Sequence, residues 1–469
     1  MKLPEYDLAI IGAGASGLIA ADFAVQLGAK TVLLEKGLIG GDCTWTGCVP
    51  SKSLIKAATV AHHARTASRY GVHGSQPTVD MTEVREYLRG TIQHIYKPTM
   101  PDALRQKGMD VMLGETRFLD AHTLEVGEDR IRAKKVLINT GAEPKTPNVS
   151  GLADVPYSTY LQIFENDRLP ERMLVVGGGP IGCEIAQAYR RLGAEVAIIA
   201  DRLLPSEDLE VSEILKKVFA QEGVQFVPAR AERVWQKASS ITVETQAGSV
   251  SGDLLFVATG RAPRVHDLGL DKAGVRFSDA GIPVNRYLQT NIRHIYAAGD
   301  VIGGPQYSHL AGWQGFQAVR NALLPGNSAG IAEALPRITF TSPEVAHVGL
   351  TEQAARAKFQ DDLRIHTFDI GKVDRAVNED DLLGLIKIIA RRNGHIVGAT
   401  IVGERAGETI TELSVAMRNK LKVADLAATI HPYPTYSSGV QFVATKIAFE
   451  NAFAGISGRF IRGISALWR

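Results

Sequence analysis

Two cysteines, Cys43 and Cys48, lie in the stretch Gly40-Gly41-Asp42-Cys43-Thr44-Trp45-Thr46-Gly47-Cys48-Val49-Pro50-Ser51-Lys52, and only Cys183 remains elsewhere in the 469 residues. Proline is favoured in the first turn of a helix, so Val49-Pro50-Ser51-Lys52 predicts a helix that starts close to Cys48. The partial positive charge of that terminus favours thiolate over thiol, which is the environment of a reactive cysteine. Two thiols on one short loop can also close into a disulfide and reopen, which is redox chemistry. Ligand count argues against zinc, because Cys183 is the only other cysteine and the adjacent His62 and His63 cannot easily both reach one ion. A purely structural disulfide fits poorly with three cysteines in so long a chain.

The elements before this loop supply a context for it. Asp7 to Ile11 reads as a strand, followed by Gly12-Ala13-Gly14-Ala15-Ser16-Gly17, a helix through Leu27, and the strand Thr31 to Leu34 ending in Glu35. In such a βαβ unit Gly12 makes the tight turn, Gly14 lets backbone approach a pyrophosphate, Gly17 allows close helix–strand packing and Glu35 can bind ribose hydroxyls. The unit recurs: Met173 to Val176, Gly177-Gly178-Gly179-Pro180-Ile181-Gly182, a helix through Leu192 and the strand Val196 to Ile199. Gly12 and Gly28 are as far apart as Gly177 and Gly193, so the two units overlay without a gap. Two dinucleotides are expected, one as electron donor and one as carrier. In the overlay Glu35 falls on Ala200, with Asp201 and Arg202 next. Loss of the carboxylate beside Arg202 tilts the second site toward NADPH, and Asp201 leaves NADH open.

Val136 to Asn139 ends in Thr140-Gly141 and Leu254 to Ala258 ends in Thr259-Gly260; both read as strands that turn where the chain leaves a nucleotide domain, so Gly141 and Gly260 border the cofactor sites. Thr290 to Asp300 reads as an apolar strand that delivers Asp300 at a glycine turn, where an acid suits a sugar or ribityl hydroxyl. After about residue 333 the pattern becomes α+β, with strands at Arg337 to Phe340, Gly384 to Ala390 and Ile396 to Val402 and helices from Thr409 and Val423. The expected fold is α/β with two Rossmann-like dinucleotide-binding units and a C-terminal α+β domain. The expected boundaries are 1–150, 151–265, 266–333 and 334–469.

A formal net charge of +2 gives no argument for nucleic acid. The N-terminal residues carry acids and enter a strand at once, unlike a secretory signal, and the apolar run from Leu8 to Ala21 is too short to cross a bilayer. A cytoplasmic protein is expected. The tail from Arg459 to Arg469 is basic and amphipathic, with Phe460, Ile464 and Leu467 on one face. Gly458 and Gly463 weaken it as a helix, so packing on its own fold or a partner is expected ahead of membrane contact.

Taken together, the two dinucleotide units, the Gly40 to Lys52 segment and the last domain resemble the flavin-dependent pyridine nucleotide-disulfide oxidoreductases, which include dihydrolipoamide dehydrogenase, glutathione reductase and mercuric reductase. Further resemblance lies in Ser342-Pro343-Glu344-Val345-Ala346, Val348-Gly349-Leu350-Thr351-Glu352 and Gly398-Ala399-Thr400-Ile401-Val402-Gly403. The resemblance implies a homodimer with a shared active site, an FAD domain, an NAD(P) domain, a central domain and a dimerisation domain. It implies that Gly12, Gly14, Gly17, Glu35, Lys52 and Asp300 bind FAD, and that Gly177, Gly179 and Gly182 bind the nicotinamide nucleotide. Cys48 would be the thiolate beside the flavin and Cys43 the exchange thiol. Lys52 would pair with Glu184.

The departures from the family pattern bear on the acceptor. Disulfide reductases of the family carry a His-Pro-Thr near the C-terminus with a glutamate following; here those positions fall on Tyr433 and Ser438. A phenol titrates near 10 and serves poorly as a base for a dithiol substrate. His431, two residues earlier, would substitute only if the turn were rebuilt. The Pro-Tyr-x-Thr arrangement is similar to mercuric reductase, yet no cysteine follows Cys183 to deliver a metal, and an N-terminal cysteine-bearing metal-binding domain is not expected. Pro180 stands where some relatives carry a flavin-covering tyrosine. The expected function is NAD(P)H oxidation through FAD and the Cys43/Cys48 pair, with a thiophilic metal ion as acceptor and catalytic residues Cys43, Cys48, Lys52, Glu184 and Tyr433. The alternatives are a disulfide reductase such as dihydrolipoamide dehydrogenase and a non-catalytic flavoprotein sensor.

Overall fold

A computed structural model describes residues 3–332, 334–453 and 455–468; Arg469 of the tail and the expected domain boundary at 333 lie outside the described residues. The chain forms two compact units, one of Met1–Gly177, Ala188–Ile199 and Ala229–Ala332, the other of Gly178–Gln187, Ala200–Pro228 and Glu333–Arg469.

In the first unit the aliphatic strands Glu5–Ile11 and Thr31–Glu35 pair in parallel, as do Asp110–Leu113 with Thr31–Glu35 and Asp129–Ile138 with Glu5–Ile11. Strands buried on both faces read as unbroken aliphatic runs, which is why these segments lack polar alternation. Ile295–Ala297 adds in parallel to Asp129–Ile138, and Thr123–Val126 and Thr116–Phe118 extend the sheet antiparallel. Helix Ala15–Gln26 joins the first two strands, burying Ser16, Gly17, Ala20, Ala21 and Ala24. Small residues at that spacing let helix and sheet approach closely. A second parallel set places Arg172–Val176 between Glu195–Ile199 and Leu254–Val257. Gly28 and Gly193, matched in the two repeats, both have positive φ, 75° and 126°.

The Thr290 to Asp300 expectation is corrected. Only Ile295–Ala297 is strand. The Thr290 hydroxyl accepts the Ile292 N–H at 3.1 Å and donates to the Ile295 carbonyl at 2.9 Å, so 290–294 fold into a turn. Asp300 then stands in a short 3-10 turn, Gly299–Ile302.

In the second unit a fully antiparallel sheet runs Pro336–Thr339, Glu344–Gly349, Ile396–Gly403, Leu385–Arg391, Leu363–Asp369. Helices Ala406–Arg418 and Ser437–Phe453 bury Ile410, Leu413, Val440, Val443 and Ile447 in the same core as Ile386, Ile388 and Ile401. The first of these helices begins three residues ahead of the expected Thr409. The tail forms helix Gly455–Leu467 despite its glycines; it runs beside helix Ser437–Phe453, and among its described side chains Phe460, Ile464, Leu467 and Trp468 are exposed. No helix among the described residues is long and apolar enough to cross a membrane.

Candidate active site

Cys48 is the first residue of helix Cys48–Thr66 and Pro50 lies in its first turn, as the spacing predicts. Cys43 sits in the short helix Gly41–Trp45. The intervening turn depends on Gly47, where an added Cβ would lie 2.7 Å from the Asp42 carbonyl oxygen. No disulfide joins the pair, which stands as two thiols, Cys43 partly buried and Cys48 exposed. A hydrogen bond to Cys48, with burial next, pushes the Cys43 thiol well above its usual range, while the Ser308 hydroxyl pulls it down. Cys48, at the positive helix end, also lies 3.2 Å from the Ser308 hydroxyl. Ser308 opens helix Ser308–Leu323 and was not singled out from sequence, since an isolated serine carries no spacing signal. Lys52 lies one helical turn beyond Cys48 and is partly buried.

The first dinucleotide turn has the geometry its motif requires. Gly12 has φ 103°, and an added Cβ would lie 2.5 Å from the Asn139 carbonyl oxygen; at Gly17 it would lie 1.9 Å from the Gly12 carbonyl oxygen. At Gly14 the nearest atom is the Gly41 Cα at 4.0 Å, so backbone there is open to a ligand. Helix Ala15–Gln26 has Gly14 as N-cap, no side-chain cap and no acid in its first turn. Its first N–H groups are thus suited to an anion. Among the described residues, Ser16 Oγ and Asn139 Oδ1 are buried beside this turn without hydrogen-bond partners. Glu35 accepts the N–H groups of Ala13 and Gly37, each at 2.8 Å, which holds its carboxylate at the strand's end. These residues fit an FAD adenylate and pyrophosphate.

Asp300 does not stand alone. Arg261 bonds Asp300 at 2.5 Å and Asp42 at 2.8 Å, and donates to the Tyr160 hydroxyl at 3.3 Å. Burial raises the Asp300 pKa and Arg261 works against that rise. Burial likewise pushes the Tyr160 phenol up to about 12. Asp42, Tyr160 and Arg261 escaped the sequence reading; the one available signal was that Arg261 directly follows Gly260. That arginine links the cysteine loop to the turn bearing Asp300. Gly141 and Gly260, φ 74° and 121°, have open space where a Cβ would stand.

In the second turn Gly177 has φ 123°, and a Cβ there would meet the Ala258 carbonyl oxygen at 2.3 Å, whereas Gly179 faces open space. Gly182 lies in helix Pro180–Leu192. Arg202 donates to the carbonyl oxygens of Pro205 and, at 3.2 Å, Glu207. Glu184, buried, accepts the Phe340 N–H at 2.8 Å. Lys52 belongs to the first unit and Glu184 to the second.

Tyr433 is 72% exposed and donates its hydroxyl to Asp374 at 2.6 Å, which raises the phenol's pKa further. His431, the sequence's other candidate, has both ring nitrogens engaged. Its ring bonds Glu412 at 2.8 Å and the Thr429 carbonyl at 3.0 Å, with the side chain only 4% exposed. Ser438 is buried and donates to the Thr435 carbonyl. Among the described residues no cluster of His, Cys, Asp or Glu could hold a metal ion.

A redox-capable thiol pair together with two dinucleotide turns defines a flavin-dependent disulfide oxidoreductase. Residues 6–315 match the family described as pyridine nucleotide-disulphide oxidoreductase and residues 335–443 match its dimerisation domain, so the chain belongs to that family. It is 35% identical over 446 residues to a mercuric reductase of Bacillus cereus, covering 93% of this chain and 70% of that one. It is 33% identical over 453 residues to a dihydrolipoyl dehydrogenase of Thermus scotoductus, covering 94% and 97%. Among solved structures, the HOCl-induced flavoprotein disulfide reductase RclA of Escherichia coli superimposes with a TM-score of 0.85 at 25% identity, covering 94% and 99%. LpdA of Mycobacterium tuberculosis does so with 0.86 at 27% identity, covering 95% and 100%. The protein is thus an FAD-dependent oxidoreductase that uses a pyridine nucleotide.

Proposed function

We propose that the chain is the subunit of a cytoplasmic homodimer that passes electrons from NADPH, with NADH as the second choice, to a thiophilic metal ion such as Hg(II) or Cu(II). The observation that carries the acceptor is Tyr433. A phenol held by Asp374 with its pKa raised serves poorly as base for a dithiol substrate, and the ring of His431 is engaged by Glu412 and the Thr429 carbonyl. Metal ions bind thiolates directly and need no such base. The disulfide-reductase alternative is disfavoured for the same reason, and the intact thiol pair speaks against a non-catalytic sensor.

The proposed domain division is 1–150 for FAD, 151–265 for the nicotinamide nucleotide, 266–333 as a central domain and 334–469 for dimerisation, with Tyr433 of the partner subunit facing the thiols. Bound FAD would relay two electrons between the nicotinamide nucleotide and the thiol pair. Gly12, Gly14, Gly17, Glu35 and Asp300 would hold it, with Gly141 and Gly260 leaving room at its edges; Lys52, with Glu184 as its countercharge, would put a positive charge beside its ring. Gly177, Gly179, Gly182 and Arg202 would bind the nucleotide. Arg202 has to give up its Pro205 and Glu207 contacts, or use its remaining N–H groups, to hold a 2′-phosphate. Cys43 and Cys48 lose two protons and two electrons and close to a disulfide. One Hg(II) takes both electrons, or two Cu(II) take one each.

The test is NADPH and NADH oxidation with Hg(II), Cu(II), lipoamide, oxidised glutathione and quinones. Turnover on the metal ions that disappears in Cys43→Ser is expected; turnover on lipoamide or glutathione alone would overturn the acceptor assignment.

A further inference from the structure

The C-terminal helix is the part of the chain that the oxidoreductase reading leaves unused. The matched dimerisation domain ends at residue 443, within helix Ser437–Phe453, and Gly455–Leu467 lies beyond it. Phe460, Leu467 and Trp468 are 69%, 86% and 88% exposed, and Ile461 and Ile464 are also exposed. Phe449 and Phe453, exposed on the preceding helix, form an edge-on pair with ring centroids 6.2 Å apart and extend the apolar surface. At about 100° per residue, Phe460, Ile464 and Leu467 fall within roughly 60° of one another, and Arg459 points about 110° from the middle of that arc. Residues 451–469 contain three arginines and no acid; the last acid, Glu450, is bonded to His366 at 2.6 Å.

We propose that this helix docks the enzyme on an anionic lipid surface, lying in the interfacial plane. An exposed apolar face with aromatic residues, flanked by arginine and free of carboxylates, is complementary to such a surface. The helix has 13 residues, so at about 1.5 Å per residue it is roughly 20 Å long, short of the approximately 30 Å hydrocarbon layer, and it lies on the bilayer instead of spanning it. A second copy of the chain is the weaker occupant. A two-fold interface that paired this segment with itself would set like charges against each other. The sequence-based preference for packing over lipid contact rested on two glycines, and the helix forms in spite of them.

The experiment is flotation of the FAD-loaded enzyme with phosphatidylcholine vesicles, with and without phosphatidylglycerol. Sedimentation velocity and NADPH turnover are followed on the same samples. Binding only to phosphatidylglycerol vesicles, weakened by salt, is expected. Arg459→Gln should lower the partition coefficient about fivefold, the equivalent of about 1 kcal/mol per basic residue. Phe460→Ser with Leu467→Ser should abolish flotation while sedimentation and turnover stay unchanged. Failure of the parent enzyme to float, equal binding to pure phosphatidylcholine, or a smaller sedimentation coefficient in the double variant would overturn the proposal. The last result would assign the face to a second copy.

Discussion

Replacing Tyr433 by histidine restores the base that the turn lacks. The Tyr433 phenol, raised above 10.0 by its hydrogen bond to Asp374, is less than about one part in a thousand ionised at pH 7. A histidine of ordinary pKa, about 6.5, is roughly three-quarters neutral at that pH. The fraction able to accept a proton therefore rises nearly a thousandfold. Asp374, now 2.6 Å from the phenol oxygen, is placed to orient the imidazole. General base catalysis contributes about 10²–10⁴, so Tyr433→His should raise kcat/KM for lipoamide or oxidised glutathione at least about tenfold, with an acid limb near the imidazole pKa. Metal-ion turnover, which needs no base, should not rise. The assay is steady-state NADPH oxidation across pH with each acceptor, and Tyr433→Phe is the control that removes the hydroxyl without adding a base. Unchanged disulfide turnover in Tyr433→His would refute the idea that this turn faces the dithiol's substrate.

Glu344 should make stability fall as pH rises toward neutrality. Burial pushes it up from 4.5 to about 7, so the folded state holds the extra proton between those values and loses on the order of 2–3 kcal/mol as pH climbs through them. Glu344→Gln keeps an acceptor for the Gly407 N–H, now bonded at 2.8 Å, and should flatten melting temperature against pH over that window; parallel curves would contradict this. Lys387, 1% exposed, is bonded to Glu352 at 2.9 Å and Asp208 at 3.2 Å and also paired with Glu210. Lys387→Met strands the buried Asp208, at about 3–5 kcal/mol, and thermal unfolding should show a midpoint lower by roughly 10 °C. Gly17→Ala places a Cβ 1.9 Å from the Gly12 carbonyl oxygen, so soluble protein carrying flavin absorbance should be lost, whereas Gly90→Ala, with open space around it, should leave both intact.

Both βαβ units were legible in the chain because each short-range demand leaves a residue-type signature. Gly12 and Gly177 need positive φ, Gly17 needs the absence of a Cβ, and parallel strands buried on both faces read as aliphatic runs. The reactive loop was legible for the same reason, since Pro50 marks the helix start that puts Cys48 at a positive terminus. Contacts made across the fold leave no such trace. The linkage of Arg261 to Asp42 and Asp300 joins positions 219 and 39 residues apart, and Ser308 reaches Cys48 from 260 residues away. The strand expected over Thr290 to Asp300 failed because one threonine hydroxyl closed a turn that apolar content does not reveal. The sequence by itself determined the cofactor architecture and the loss of histidine at Tyr433. Only the tertiary structure decided that His431 bonds Glu412 and the Thr429 carbonyl, because which side chains satisfy a buried imidazole depends on what packs against it.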